Sequence, residues 1–150
     1  MMARVISGEA PGGKRQKLVE ILPLDTPLLV QIFPIYRCNF RCVYCHFSIP
    51  VSERGFVSEV KDMDYGLYKK AVQEIAKFPS KLKTFRFVGM GEPLLHPNII
   101  DMVAYAKLMN IAERIEILTN GSMLTKPMAN GLIDAGLDRL VVSIQGLTSE

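Results

Sequence analysis

Three observations predict an α/β fold built from parallel βα units. Short apolar, β-branched runs alternate with helical patterns, each run stops at a turn rich in glycine or polar residues, and every unusual motif follows the end of such a run. The first run, Leu28 to Phe33, is stopped by Pro34 and reads as a buried strand. From Asp64 to Phe78, Leu67, Ala71, Ile75 and Phe78 recur at steps of four, four and three, which predicts a helix burying that face and ended by Pro79. Lys83 to Val88 is a second strand, and Pro97, suited to a first helical position, opens a helix reaching about Asn110. Glu113 to Leu118 is a third strand. Thr125 can cap a helix from Lys126 to about Ala135 with Gly136 as its stop, and Asp138 to Ile144 is a fourth strand. Residues 1–26, with Gly8, Pro11, Gly12, Gly13 and Pro23, read as a lead-in with one short strand near Lys17 to Leu22; residues 27–150 carry the βα units.

Strands separated by helices imply right-handed crossovers, and ligands of such sheets lie at the carboxyl ends of the strands. Four turns fall there: the cysteine loop after strand one, Gly89 to Pro93 after strand two, Thr119-Asn120-Gly121 after strand three, and Ser143 to Gly146 closing strand four. The chain stops soon after a strand that needs a covering helix, so the expectation is a piece of a longer protein.

Half the residues (49%) are hydrophobic and 22% are charged, enough apolar matter for a packed core and too little charge for a disordered chain. A net charge of +3 with scattered basic residues gives no footprint for nucleic acid; the run Lys14-Arg15-Gln16-Lys17 reads as a solvated arm. No segment has the length of a membrane span or the layout of a signal peptide, and the cysteine count is odd. A reducing, cytoplasmic setting is therefore expected.

The whole thiol content, Cys38, Cys42 and Cys45, lies in one segment spaced C-x3-C-x2-C. Disulfides need pairs and a closed structural zinc site needs four ligands. Three thiolates suit a metal centre with one coordination position open.

This spacing, with Tyr44 before the last cysteine and with Gly89-Met90-Gly91-Glu92-Pro93, Thr119-Asn120-Gly121 and Ser143, resembles the radical S-adenosylmethionine (radical SAM) superfamily. The resemblance runs from Leu28 onward. It implies that the βα units are about the first four strands of a partial (β/α)6, TIM-like barrel, here truncated. It also implies an enzyme in which Cys38, Cys42 and Cys45 ligate a [4Fe–4S] cluster whose fourth iron chelates S-adenosyl-L-methionine. Reductive cleavage of that cofactor would give a 5′-deoxyadenosyl radical, which abstracts a hydrogen atom from substrate. Tyr44 would lie near the adenine. Gly89, Met90, Gly91, Glu92 and Pro93 would bind the methionyl amino group, mainly through backbone and Glu92. Ser143 would hydrogen-bond ribose or carboxylate, and Thr119 and Asn120 would line the same rim. Gln145 joins this set uncharged, where many members carry an acidic residue. Met90 stands where the commoner Gly-Gly-Glu-Pro form has its first glycine. The implied partners are a reductant such as flavodoxin or ferredoxin and an unidentified substrate, for which a peptide or protein is the first candidate; activation of glycyl-radical enzymes and modification of RNA are also open.

The rival from another class is a non-enzymatic zinc-binding module, with His46 or His96 as fourth ligand. Adjacent Cys45 and His46 can hardly share one ion with good geometry, and His96 sits on another loop. His96 otherwise caps a helix entry, and Met102, Met109, Met123 and Met128 read as core filler.

Overall fold

A computed structural model describes residues 17–54 and 62–144 of the chain. Its elements are α1 (Leu18–Ile21), β1 (Leu29–Ile32), α2 (Tyr65–Ile75), β2 (Thr84–Phe87), α3 (Ile99–Leu108), β3 (Ile115–Thr119), α4 (Lys126–Asp134) and β4 (Arg139–Val142). The four strands form one all-parallel sheet in the order β1-β2-β3-β4. A doubly wound sheet reverses its order at a switch point; a barrel segment does not. With sequential order, right-handed crossovers place every helix on the same face.

That face is the core. Val30 and Ile32, Phe85 and Phe87, Ile115 and Ile117, and Leu140 point toward Tyr68 and Val72 of α2, Met102, Val103 and Ala106 of α3, and Leu132 of α4. The phenol of Tyr68 is fully buried and donates to the Met102 carbonyl at 2.7 Å, locking α2 to α3; burial pushes its ionisation up. Helix starts follow local chemistry. Asp64 Oδ1 accepts from Leu67 N at 2.8 Å, and Thr125 Oγ1 accepts from Met128 N at 3.4 Å.

The opposite face carries the alternate residues. Register aligns Gln31, Arg86, Glu116 and Arg139 in one row across all four strands. Glu116 is fully buried there among three arginines. Arg86 pairs with its Oε1, while Arg114 and Arg139 reach its Oε2 at 3.3 and 3.5 Å. Strands covered on both faces by apolar layers would not carry this row.

Four expectations need correction. The strand expected at Lys17 to Leu22 is the single turn α1. Among the described residues no strand pairs with it, and local bonding wins through Glu20 N to Lys17 O at 3.0 Å. The face of α2 is mis-phased: Tyr68 and Val72 are buried with Tyr65 and Ile75 beside them, whereas Leu67 is 58% exposed and Phe78 38%. Aromatic Tyr68 supplies more apolar area than Leu67, and burying it sets the rotation. α3 starts at Ile99 rather than Pro97, because Pro93–Leu95 already forms a turn of 3-10 helix upstream. The first strand is half-exposed in alternation rather than buried, since it lies at an edge of the sheet.

Candidate functional site

The carboxyl ends of β1, β2 and β3 are stitched together by three sets of hydrogen bonds. Leaving β1, the chain crosses to the cysteine loop, where Glu92 N donates to the Arg37 carbonyl at 2.9 Å. Arg37 in turn grips Asp62 at 3.0 and 3.1 Å and the Leu95 carbonyl at 3.2 Å; the hydrogen bonds and charge of Asp62 hold its guanidinium above the ordinary range. The cysteine loop and the turn after β2 are therefore one packed unit.

Gly89 and Gly91 show why that packing needs glycine. Both have positive φ, +118° and +133°. A Cβ at Gly91 would lie 2.3 Å from the Ile35 carbonyl oxygen, and one at Gly89 would lie 1.4 Å from the Phe33 ring. The space beside each glycine is taken by the chain's own exit from β1. Sequence reading attributes these glycines to close approach of a ligand; the structure gives them a prior duty, docking one loop on another. Met90 between them is 42% exposed and Pro93 is buried.

Glu92 is 2% exposed, and its carboxylate is a clasp. Oε1 accepts from Leu94 N at 3.0 Å and Thr119 Oγ1 at 2.5 Å, and Oε2 accepts from Asn120 N at 2.7 Å. A carboxylate holding three donors is well satisfied when buried. Glu92 thus joins the turn after β2 to the turn after β3, with little capacity left for a ligand. Thr119 is buried in this clasp, and Asn120 is half-buried beside it.

The third stitch is a closed ring of side chains. Asn39, between the first two cysteines, donates from Nδ2 to Ser122 Oγ at 2.7 Å. Ser122 Oγ donates to Asn120 Oδ1 at 2.7 Å, and Asn120 Nδ2 donates back to Asn39 Oδ1 at 3.0 Å. Sequence reading passed over Asn39, Ser122 and Arg37. An asparagine inside the cysteine spacing and a serine after Asn-Gly were the available signals, and neither names a partner some 80 residues away.

Cys38, Cys42 and Cys45 are free thiols, each partly exposed, at the mouth of these three loops. Cys45 N bonds Cys42 O at 2.8 Å and Ser48 N bonds Cys45 O at 2.8 Å, so the last two cysteines frame a tight turn. Tyr44 is 65% exposed, and desolvation, a hydrogen bond to Cys42 and the charge of the Cys42 and Cys45 thiols push its hydroxyl up. Among the described residues, no three His, Cys, Asp or Glu side chains converge as ligands of a single ion would. A cubane spreads its thiolates over three irons, a wider arrangement, and a donor set of three soft thiols on one loop fits it.

The histidines offered for zinc are engaged elsewhere. His46 Nε2 lies 3.3 Å from the Tyr36 hydroxyl. His96 is 2% exposed, accepts from Asn98 N at 3.1 Å through Nδ1 and faces the Met63 carbonyl at 3.0 Å through Nε2, a neutral tautomer with both nitrogens in use. Ser143 is exposed at the end of β4, with its N–H on the Thr119 carbonyl at 2.8 Å. Gln145 lies outside the described residues.

Comparison with known proteins agrees with this geometry. The family model for the radical SAM superfamily matches residues 32–150. The chain is 39% identical over 111 residues to the tungsten-containing aldehyde ferredoxin oxidoreductase cofactor-modifying protein of Pyrococcus furiosus, covering 74% of this chain and 29% of that protein. It is 35% identical over 119 residues to a GTP 3′,8-cyclase of Nostoc sp., covering 79% of this chain and 34% of that one. Among solved structures, BtrN in complex with AdoMet and 2-DOIA superposes with a TM-score of 0.67 at 26% identity, over 83% of this chain and 48% of BtrN. The chain therefore spans about a third of the length of these curated relatives and about half of BtrN. Family match, relatives and superposed fold converge: the chain belongs to the radical SAM superfamily, which uses a [4Fe–4S] cluster and S-adenosylmethionine.

Proposed function

We propose that this chain forms the cofactor-binding part of an enzyme that cleaves S-adenosylmethionine reductively and then abstracts a hydrogen atom from its substrate. The observation that carries the reading is the site's construction: three free thiols on the loop after β1, interlocked with the turns after β2 and β3 at one edge of the sheet. Cys38, Cys42 and Cys45 would hold the cluster. Bound together, cluster and cofactor supply one-electron cleavage of the sulfonium C–S bond, with the electron coming from a reductant such as flavodoxin or ferredoxin. The chain's own residues would position the cofactor. The backbone of Gly89 to Glu92 would face the methionyl amino group and Tyr44 the adenine, with Ser143 toward ribose or carboxylate. Glu92, Thr119 and Asn120 would act by fixing the rim, since their polar groups already hold each other.

Anaerobic reconstitution tests this. About four irons and four sulfides per chain, broad absorption near ~400 nm that bleaches on reduction, and 5′-deoxyadenosine on adding S-adenosylmethionine and dithionite are expected. One zinc per chain with no such absorption would overturn the reading.

The inner face of the sheet favours an anionic small molecule as substrate over a neutral peptide segment. Arg86 and Arg139 both reach the Glu116 carboxylate on that face, so among these groups cation outnumbers anion. Two curated relatives are named for GTP cyclisation and for modification of a cofactor, consistent with such a substrate. Arg139 is partly exposed and lies outside the buried core cluster, so it can be changed with little damage to the core. Arg139→Ala is expected to weaken GTP or pyrophosphate binding about tenfold, the worth of one charge-assisted contact. Equal binding by wild type and variant in a calorimetric titration would rule this substrate class out.

A further inference from the structure

We infer that Asn120 is a positioning residue for Cys38: its side-chain amide donates to the Cys38 sulfur and so raises the reduction potential of the cluster that this cysteine holds. The inference rests on the cluster reading above.

The amide's orientation follows from its neighbours. Asn120 Oδ1 accepts twice, from Ser122 N at 2.9 Å and from Ser122 Oγ at 2.7 Å. Two donors on that atom identify it as the oxygen, which fixes Nδ2 on the other side. One Nδ2 hydrogen is used by Asn39 Oδ1 at 3.0 Å, and Cys38 Sγ lies 3.8 Å from the same nitrogen. The ring is self-consistent. Asn39 must present Oδ1 to Asn120 because its own Nδ2 is committed to Ser122 Oγ. The residue cannot swing away as a whole either, since its backbone N–H is held by Glu92 Oε2 at 2.7 Å. Cys38 also receives the Phe40 N–H at 3.4 Å. Its sulfur is therefore approached by one backbone donor and by one side-chain donor carried on a different strand's loop.

The chemical consequence is directional. An electron added to an iron–sulfur cluster increases negative charge on its thiolate sulfurs. A donor aimed at a sulfur stabilises the reduced state more than the oxidised one and moves the potential upward. Asn120 reaches the sulfur from the β3 loop, pinned by the same clasp that fixes the turn after β2. Ligand electronics and rim geometry thus share one anchor.

The test compares midpoint potentials of reconstituted protein by redox titration followed by EPR. Asn120→Asp keeps size and the Oδ acceptors for Ser122 but loses the donor. Asn120→Ala loses the donor without adding charge. Ser122→Ala opens the ring while leaving the amide N–H. Both Asn120 variants are expected to shift to lower potential, with the reduced-to-oxidised ratio at a fixed potential falling on the order of tenfold, about 59 mV for one electron. Ser122→Ala is expected to move it less than either. A potential unchanged in Asn120→Ala would overturn the inference. So would failure of both Asn120 variants to take up a cluster that wild type takes up, because a donor that tunes a sulfur is not required for ligation. Wild type that takes up no cluster fails the parent reading instead, a distinct result.

Discussion

On the proposed function, Cys42→Ala is expected to abolish 5′-deoxyadenosine formation and to leave the fold standing. Cys42 sits on the cysteine loop, partly exposed and outside the buried core, so removing its sulfur deletes no packing that the sheet relies on. Substitutions at such positions change stability by about 0.5 kcal/mol or less. Function answers differently, because three thiolates would hold three irons and leave the fourth open for a ligand, whereas two would leave a second iron unheld. The expected pair of results is therefore an unfolding midpoint close to wild type and no product above background in a reconstituted assay. Cys38→Ala and Cys45→Ala are expected to match it. Normal product from Cys42→Ala would sink the assignment of these thiols. A large drop in midpoint would show instead that the loop is part of the structural core.

The fold was legible where local pattern and tertiary role agree. Thr84 to Phe87 and Ile115 to Thr119 are mostly apolar, β-branched or aromatic and bounded by turns, and they form the buried centre of the sheet. The phase of α2 was not, because steps of four and three through Leu67 and Phe78 compete with equally good steps through Tyr65, Tyr68 and Val72. Only the sheet beneath decides which set is buried. The charged row of Arg86, Glu116 and Arg139 reads in sequence as three unrelated residues; register brings them side by side. The cysteines were legible because their spacing is local. Glu92 was singled out in the sequence for a ligand's amino group; the contact that the sequence could not show is the one its carboxylate makes with Thr119, 27 residues away. Contacts of that range leave no periodic trace.

Gly91→Ala is the most damaging single methyl that can be added near the site, although Gly89→Ala has the closer clash. At Gly89 the new Cβ would fall 1.4 Å from a ring carbon of Phe33, at Gly91 2.3 Å from the Ile35 carbonyl oxygen and 2.9 Å from that of Arg37. What matters is whether the neighbour can give way. Phe33 is 53% exposed and can rotate its ring into open space. The Ile35 and Arg37 carbonyls are backbone; Ile35 is 3% exposed, and Arg37 O is the acceptor of the Glu92 N–H. Moving them means pulling the cysteine loop off the turn after β2. Both positions also carry the strain of a positive φ, about 1–3 kcal/mol for a residue with a side chain. Overpacking against immobile atoms adds a similar amount, so Gly91→Ala is expected to cost on the order of 3–5 kcal/mol. Gly89→Ala should cost mainly the strain, about 1–3 kcal/mol. Denaturant unfolding ranks the two. Cluster uptake should follow the same ranking, because the Glu92 to Arg37 bond that Gly91 permits also ties the thiols to the clasp. A Gly89 variant less stable than the Gly91 variant would show that the Phe33 ring is held and that the loops dock through it rather than through backbone.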